Sequence, residues 1–224
     1  MSQLIAHAVS MEFMRKTRTA NFFVAVAPTD FEIASGQFIE IAGHSGSGKS
    51  TLLGMLSGLL PPTSGEVLLD EQNLYQLREP DLAAVRNERF GIIPQSNTAL
   101  QSLTVLQNVL LPAVIAKKPA PEAKARELLG ELGLAPLMEE KPEALSGGEL
   151  RRLAVARALL MDPDFILADE PTAGLDSENI GIVLRMLRQR ADSGAAVLIA
   201  AHESQVAQYA NKVLKMDGAH LSPS

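Results

Sequence analysis

A lysine and a serine close a glycine-rich run, GHSGSGKS, at residues 43–50. The spacing G-x-x-x-x-G-K-S suits phosphate, because the backbone N–H groups of Gly43, His44, Ser45, Gly46, Ser47 and Gly48 can wrap its oxygens, with Thr51 next in line. Lys49 can neutralise the β- and γ-oxygens of a nucleoside triphosphate, and the Ser50 hydroxyl can ligate Mg²⁺. A second cluster ends the run DFILADE, where Asp169 and Glu170 close an apolar stretch. Adjacent acids at a buried strand end are costly unless paired, so Asp169 is expected to face a cation. Glu170, directed the other way along the pleat, is placed to polarise an attacking water. A third cluster, LSGGELRR at 145–152, sets Ser146, Gly147 and Gly148 at a helix start. Bare N–H groups and the positive end of the helix dipole make that a second anion cradle, about a hundred residues after the first.

The elements that must hold these clusters are legible from periodicity. QFIEIAG reads as a buried strand entering a glycine-rich turn, and STLLGMLSGLL as a helix with Leu52, Leu56 and Leu59 on one side, stopped by Pro61-Pro62. EVLLD, RFGIIP, DFILADE and AAVLIAAH have strand length. Strands alternating with helices predict an α/β fold whose mostly parallel sheet is covered on both faces, with ligands beyond the carboxyl ends of its strands. From about 96 to 160 no strand-like run occurs, and PEAKARELLGELGL is amphipathic, with Ala123, Leu128, Leu129 and Leu132 on one side. FFVAVAPTDFEIASG predicts antiparallel strands, and VLKMDGAHLS a hairpin turning at Asp217-Gly218.

Composition narrows the chemistry. The 224 residues, 46% hydrophobic, suffice for one sizeable core. There is no Cys, which removes disulfides, thiolate metal sites and thiol nucleophiles. Lys and Arg number 20 against 26 Asp and Glu, a net charge of −6, with no long basic run, so nucleic acid is not the expected ligand. MSQLIAHAVS lacks the pattern of a secretory signal, and the longest apolar runs are far short of the roughly 20 residues that span a bilayer. The expectation is a cytoplasmic protein that reaches a membrane only through a partner.

Taken together, Gly43–Ser50, Gln95 after RFGIIP, LSGGE at 145–149, ILADEPTAGLD at 166–176 and His202 after VLIAA resemble the ordered motif set of an ABC-type ATP-binding subunit. The likeness spans roughly residues 36 to 218. It implies a P-loop NTPase fold, a RecA-like mostly parallel sheet with an antiparallel β subdomain and an α-helical signature subdomain. On that pattern, 1–224 is a single ABC ATPase domain, with 1–95 and 161–224 as nucleotide-binding core and 96–160 as helical subdomain. It further implies ATP and Mg²⁺, the metal at Ser50, Gln95 and Asp169, with Gln95 alternatively positioning water. His202 would hydrogen-bond the γ-phosphate and the water held by Glu170. Ser146, Gly147 and Gly148 would grip the γ-phosphate of ATP on a second copy of the chain, and Asp176 would link the two sites of that head-to-tail homodimer. An aromatic upstream of the loop would stack on adenine, with Phe13 the candidate and Phe22 the reserve.

Glu149 departs from the pattern, which more often has Gln there; a carboxylate in the first helical turn suits the dipole, and its expected role is in the helix. The wording of TSGEVLLDEQNLYQL and LTVLQNVLLP is similar to ATPase subunits of the lipoprotein-release and macrolide-export type. The implied function is the energy-coupling subunit of a transporter, its transmembrane permease docking near residues 96–108, with Leu100 and Leu103 the expected contacts. The protein would sit on the inner face of the cell membrane. The alternative is an ABC ATPase regulating a cell-division or signalling complex without transport. A DNA-repair ATPase would need coiled-coil insertions or a basic face, and the sequence has neither.

Overall fold

The computed structural model describes residues 2–15, 21–202 and 205–223. In chain order the principal elements are β1 (Gln3–Arg15), β2 (Asn21–Ala34), β3 (Phe38–Ala42), α1 (Lys49–Leu56), β4 (Ser64–Leu69), β5 (Gln72–Asn73), α2 (Glu79–Arg89), β6 (Phe90–Ile93), α3 (Val105–Ile115), α4 (Glu122–Glu131), α5 (Gly147–Leu159), β7 (Phe165–Asp169), α6 (Ser177–Asp192), β8 (Ala196–Ala201), β9 (Lys212–Asp217) and β10 (His220–Pro223).

Two sheets form. The larger runs β10-β9-β3-β8-β7-β6, parallel except for β10 at one edge. Its strands alternate strictly: Phe38, Ile166, Ala168, Val197 and Ile199 pack with residues of α3 to α6. Ile39, Ile41, Phe165, Leu167 and Leu198 pack on the other face with α1 and the second sheet. Burial on both faces is why these strands read as continuous apolar runs. The smaller sheet, β2-β1-β4-β5, is antiparallel. The result is the α/β P-loop NTPase architecture that the motifs implied.

Helix boundaries follow local chemistry. Thr104 caps α3 in a reciprocal box with Gln107, each side chain accepting from the other's backbone N–H at 3.2 and 2.9 Å. Helix α1 stops at Leu56, before the expected end, because Gly58 turns the chain at φ 72°. Leu59 therefore lies outside the helix and is 57% exposed. In α4 it is Ala125, with Leu128, Leu129 and Leu132, that enters the core, whereas Ala123 is exposed. The terminal hairpin forms, but Asp217 stays paired with His220 and the turn falls on Gly218 and Ala219, both at positive φ, one residue later than expected. Strand β1 and helix α2 go beyond the sequence expectation. An acidic first turn, a proline and a basic last turn mark α2.

Candidate active site

The phosphate loop joins β3 to α1, and two of its glycines are required by close approach. A Cβ on Gly43 would lie 2.3 Å from the Met216 carbonyl oxygen, and one on Gly48, at φ 110°, would lie 2.2 Å from that of Ala25. Lys49, 5% exposed, turns back over the loop and donates to the carbonyls of Gly43 at 2.6 Å and His44 at 3.1 Å. Its ammonium lies 3.9 Å from Glu170 Oε1.

Asp169 is the last residue of β7, and Glu170 follows with φ 50°, a left-handed conformation for a side chain that does not favour it. Glu170 N–H donates to the Ala200 carbonyl at 2.8 Å, tying that turn to β8. His202, just past β8, brings Nδ1 to 2.8 Å from Glu170 Oε2. Burial pushes the Asp169 carboxyl above the usual carboxylate range, against a hydrogen bond from Ser50 that pulls it back down, and the charge of Glu170 adds to the rise. Asp169 Oδ1 is buried with no hydrogen-bond partner among the described residues.

A cavity of about 550 Å³ gathers Ser45 to Thr51, Gln95, Asp169, Glu170, Gly218, Ala219, Phe13 and Phe23. The two rings are cross-strand partners in β1 and β2, 5.7 Å apart. Phe22, the reserve candidate, is opposite Met14 on the other side of the ribbon and is 65% exposed, outside this cavity. The pleat explains the exchange: adjacent residues face opposite ways, and Phe23 shares the face of Phe13.

Ser146, Gly147 and Gly148 line a different cavity of about 730 Å³, with Arg151, Arg152, Asp176 and Asn179. Ser146 caps α5, and Glu149 answers it: its Oε2 accepts from both the N–H and the hydroxyl of Ser146 at 2.7 Å. Those bonds hold the Glu149 carboxyl below its ordinary range. Gly147 has open space where a Cβ would project. Asp176 caps α6 by accepting from Asn179 N–H at 2.9 Å, the bond that chiefly lowers its pKa.

Three residues that the motifs did not single out organise the loop after β6. Arg151 donates to the Pro94 carbonyl at 2.8 Å and the Gln95 carbonyl at 2.7 Å. Arg157 holds both the carbonyl and the hydroxyl of Thr98. Asn108, fully buried in α3, accepts from Leu100 N–H at 2.8 Å and donates to the carbonyls of Leu100, Leu103 and Thr104. Leu100 is exposed and Leu103 half-buried.

A parallel sheet whose strand end delivers a glycine-rich phosphate cradle, a lysine and a carboxylate pair defines a nucleoside-triphosphate-hydrolysing P-loop protein. The chain belongs to the ABC transporter family, whose pattern matches residues 26–173, and it is an ABC ATPase. It is 43% identical over 195 residues to the macrolide export ATP-binding/permease protein MacB of Hyphomonas neptunium, covering 86% of this chain and 30% of that one. It is 38% identical over 205 residues to the ABC transporter ATP-binding protein Rv2564 of Mycobacterium tuberculosis, covering 89% and 62%. The chain thus spans about three-fifths of the length of such mycobacterial relatives. Among solved structures, a dimeric post-hydrolysis state of the ATP-binding cassette MJ0796 bound to ADP and Pi is similar at a TM-score of 0.91 and 30% identity, over 97% of this chain and 96% of that one.

Proposed function

We propose that the chain is the single-domain ATPase engine of a membrane transporter and that two copies, head to tail, sandwich ATP between the phosphate loop of one and Ser146, Gly147 and Gly148 of the other. One observation carries this reading: the two anion cradles line separate cavities within one chain, so the donors of the second cradle reach no phosphate held by the first. The dimeric MJ0796 cassette supports it. ATP binding favours the closed pair because only that state supplies the second set of contacts, and loss of the bridging phosphate lets it open.

Within each site the N–H groups of Gly43 to Gly48 hold the phosphates and Lys49 exchanges its carbonyl partners for β- and γ-oxygens. Phe13, with Phe23 beside it, stacks on adenine without a hydroxyl to read the base. Ser50, Gln95 and Asp169 are oxygen donors suited to Mg²⁺, and the unpartnered Asp169 Oδ1 fits that use. The metal supplies neutralisation of phosphate charge. Glu170 accepts a proton from water as it attacks, His202 holds Glu170 and the γ-phosphate in register, and Asp176 links the two sites across the dimer.

The permease docks beside the 96–108 segment. Leu100 and Leu103 are its contacts there, and a groove of about 330 Å³ outside that segment, with Leu59, Phe90, Ile92, Leu111 and Ile115 beside Arg86 and Arg157, offers further mostly apolar surface, where Leu59 and Ile115 are 57% and 62% exposed. Among the described residues no helix is long and apolar enough to cross a membrane. The name of MacB couples ATP binding to a permease, which supports a permease partner; on this reading the partner is a separate transmembrane subunit that places the chain on the inner membrane face.

Glu170→Gln tests the reading. Nucleotide binding should persist while turnover falls about 10²- to 10⁴-fold, and Mg-ATP should convert the protein to dimers by light scattering. Normal turnover would overturn the role of Glu170. A strict monomer under those conditions, permease present, would overturn the sandwich.

A further inference from the structure

We infer that Arg151 is a positioning residue for hydrolysis: its guanidinium fastens the backbone on both sides of the Gln95 Cα to helix α5, so that the Gln95 side chain enters or leaves the site with the helix that carries Ser146. The inference rests on the proposed role of Gln95 and adds what sets its position.

The geometry is specific to a planar fork. Nη1 and Nη2 donate to the consecutive carbonyls of Pro94 and Gln95 at 2.8 and 2.7 Å, fixing the two peptide units on either side of the Gln95 Cα. Together those units set the direction in which the Gln95 side chain departs. Gln95 lines the nucleotide cavity with Ser50 and Asp169, whereas Arg151 lines the other cavity with Ser146 and Gly148, so one side chain spans from one anion cradle to the approach of the other. Farther along α5, Arg157 holds Thr98 by its carbonyl and hydroxyl. The loop that follows β6 is therefore attached at two points to α5.

The bonds of Arg151 go to main-chain oxygens, leaving the Gln95 amide free for the site. A displacement of α5, whether from a partner in the groove or from a second copy at Ser146, is thus delivered to Gln95 as a change of peptide orientation.

The test is a double-mutant cycle on the full chain. Arg151→Met should lower kcat for ATP hydrolysis about 3- to 30-fold with little change in KM. In a Gln95→Ala background, itself impaired, the same substitution should have no further effect. Arg151→Lys should recover only part of the loss, since an ammonium is a point donor that does not brace two carbonyls as a fork does. If Arg151→Met unfolds the protein, Arg151→Lys takes its place in the same cycle. An impaired Gln95→Ala enzyme that the second substitution impairs again by the full factor overturns the Arg151 proposal alone. A Gln95→Ala enzyme with normal turnover overturns the reading of Gln95 beneath it. Unchanged kcat in the Arg151→Met protein, folded and with nucleotide bound, overturns the proposal directly.

Discussion

Glu40 lies in the middle of β3, 2% exposed, paired in register with Ile199 of β8 and Val213 of β9. Its Oε2 is buried with no hydrogen-bond partner among the described residues, and burial pushes the carboxyl above its ordinary value of 4.5. Replacing it by Met, unbranched and similar in length, should stabilise the fold. A buried polar group without a partner costs about 1–3 kcal/mol, and removing it returns that amount. For a chain of 224 residues each kcal/mol moves the melting temperature by roughly 2–4 °C, so a rise of about 2–12 °C is expected. The pH dependence has a definite sign. A carboxyl whose folded value is raised binds its proton more tightly in the native state, so its contribution is fully favourable below the unfolded value and is lost as pH climbs through the folded one. The difference between Glu40→Met and the parent should therefore widen from about pH 4.5 upward, by at most about 1.4 kcal/mol per pH unit, and then level off. Urea unfolding at a series of pH values reads this out. Parallel pH profiles for the two proteins, or a variant less stable than the parent at about pH 8, would refute the reasoning.

Asn108→Leu should cost about 2–4 kcal/mol in urea unfolding and open the 97–104 segment to proteolysis, because Leu100 N–H loses its acceptor and the Leu103 carbonyl its donor while the amide bonds to the Leu100 and Thr104 carbonyls go with them. Unaltered cleavage would show that the loop keeps its shape without that amide. Glu149→Gln should leave steady-state hydrolysis within about tenfold, since an amide oxygen can still accept from Ser146 and the change in dipole complementarity is small. A larger gain would mean that the carboxylate opposes the bound phosphate.

The nucleotide cradle was legible because its parts are local. A strand, a glycine-rich turn and a helix adjoin in sequence, and the acids at 169 and 170 end a run that only a buried strand explains. Elements failed where the deciding contact was distant or the pattern ambiguous. Leu59 fits the helical spacing of its neighbours, but Gly58 ends α1 first. Ala123 and Ala125 are both small residues in an amphipathic stretch, and only packing chooses between them. Phe22 and Phe23 are adjacent, so strand register alone decides which ring meets Phe13. Arg151 and Asn108 bond to main-chain carbonyls, and such partners leave no mark in side-chain spacing.

The rear wall of the phosphate loop is built from the far end of the chain. The Met216 carbonyl stands behind Gly43, its methyl group lies against the position a Cβ on Gly48 would take, and Ala219 accepts from Ala27 N–H at 2.9 Å. A ribosome releases the loop long before it releases that hairpin. A nascent polypeptide carrying the whole glycine-rich motif but not yet β9 lacks that wall, so the loop takes its final support only when β9 joins the sheet.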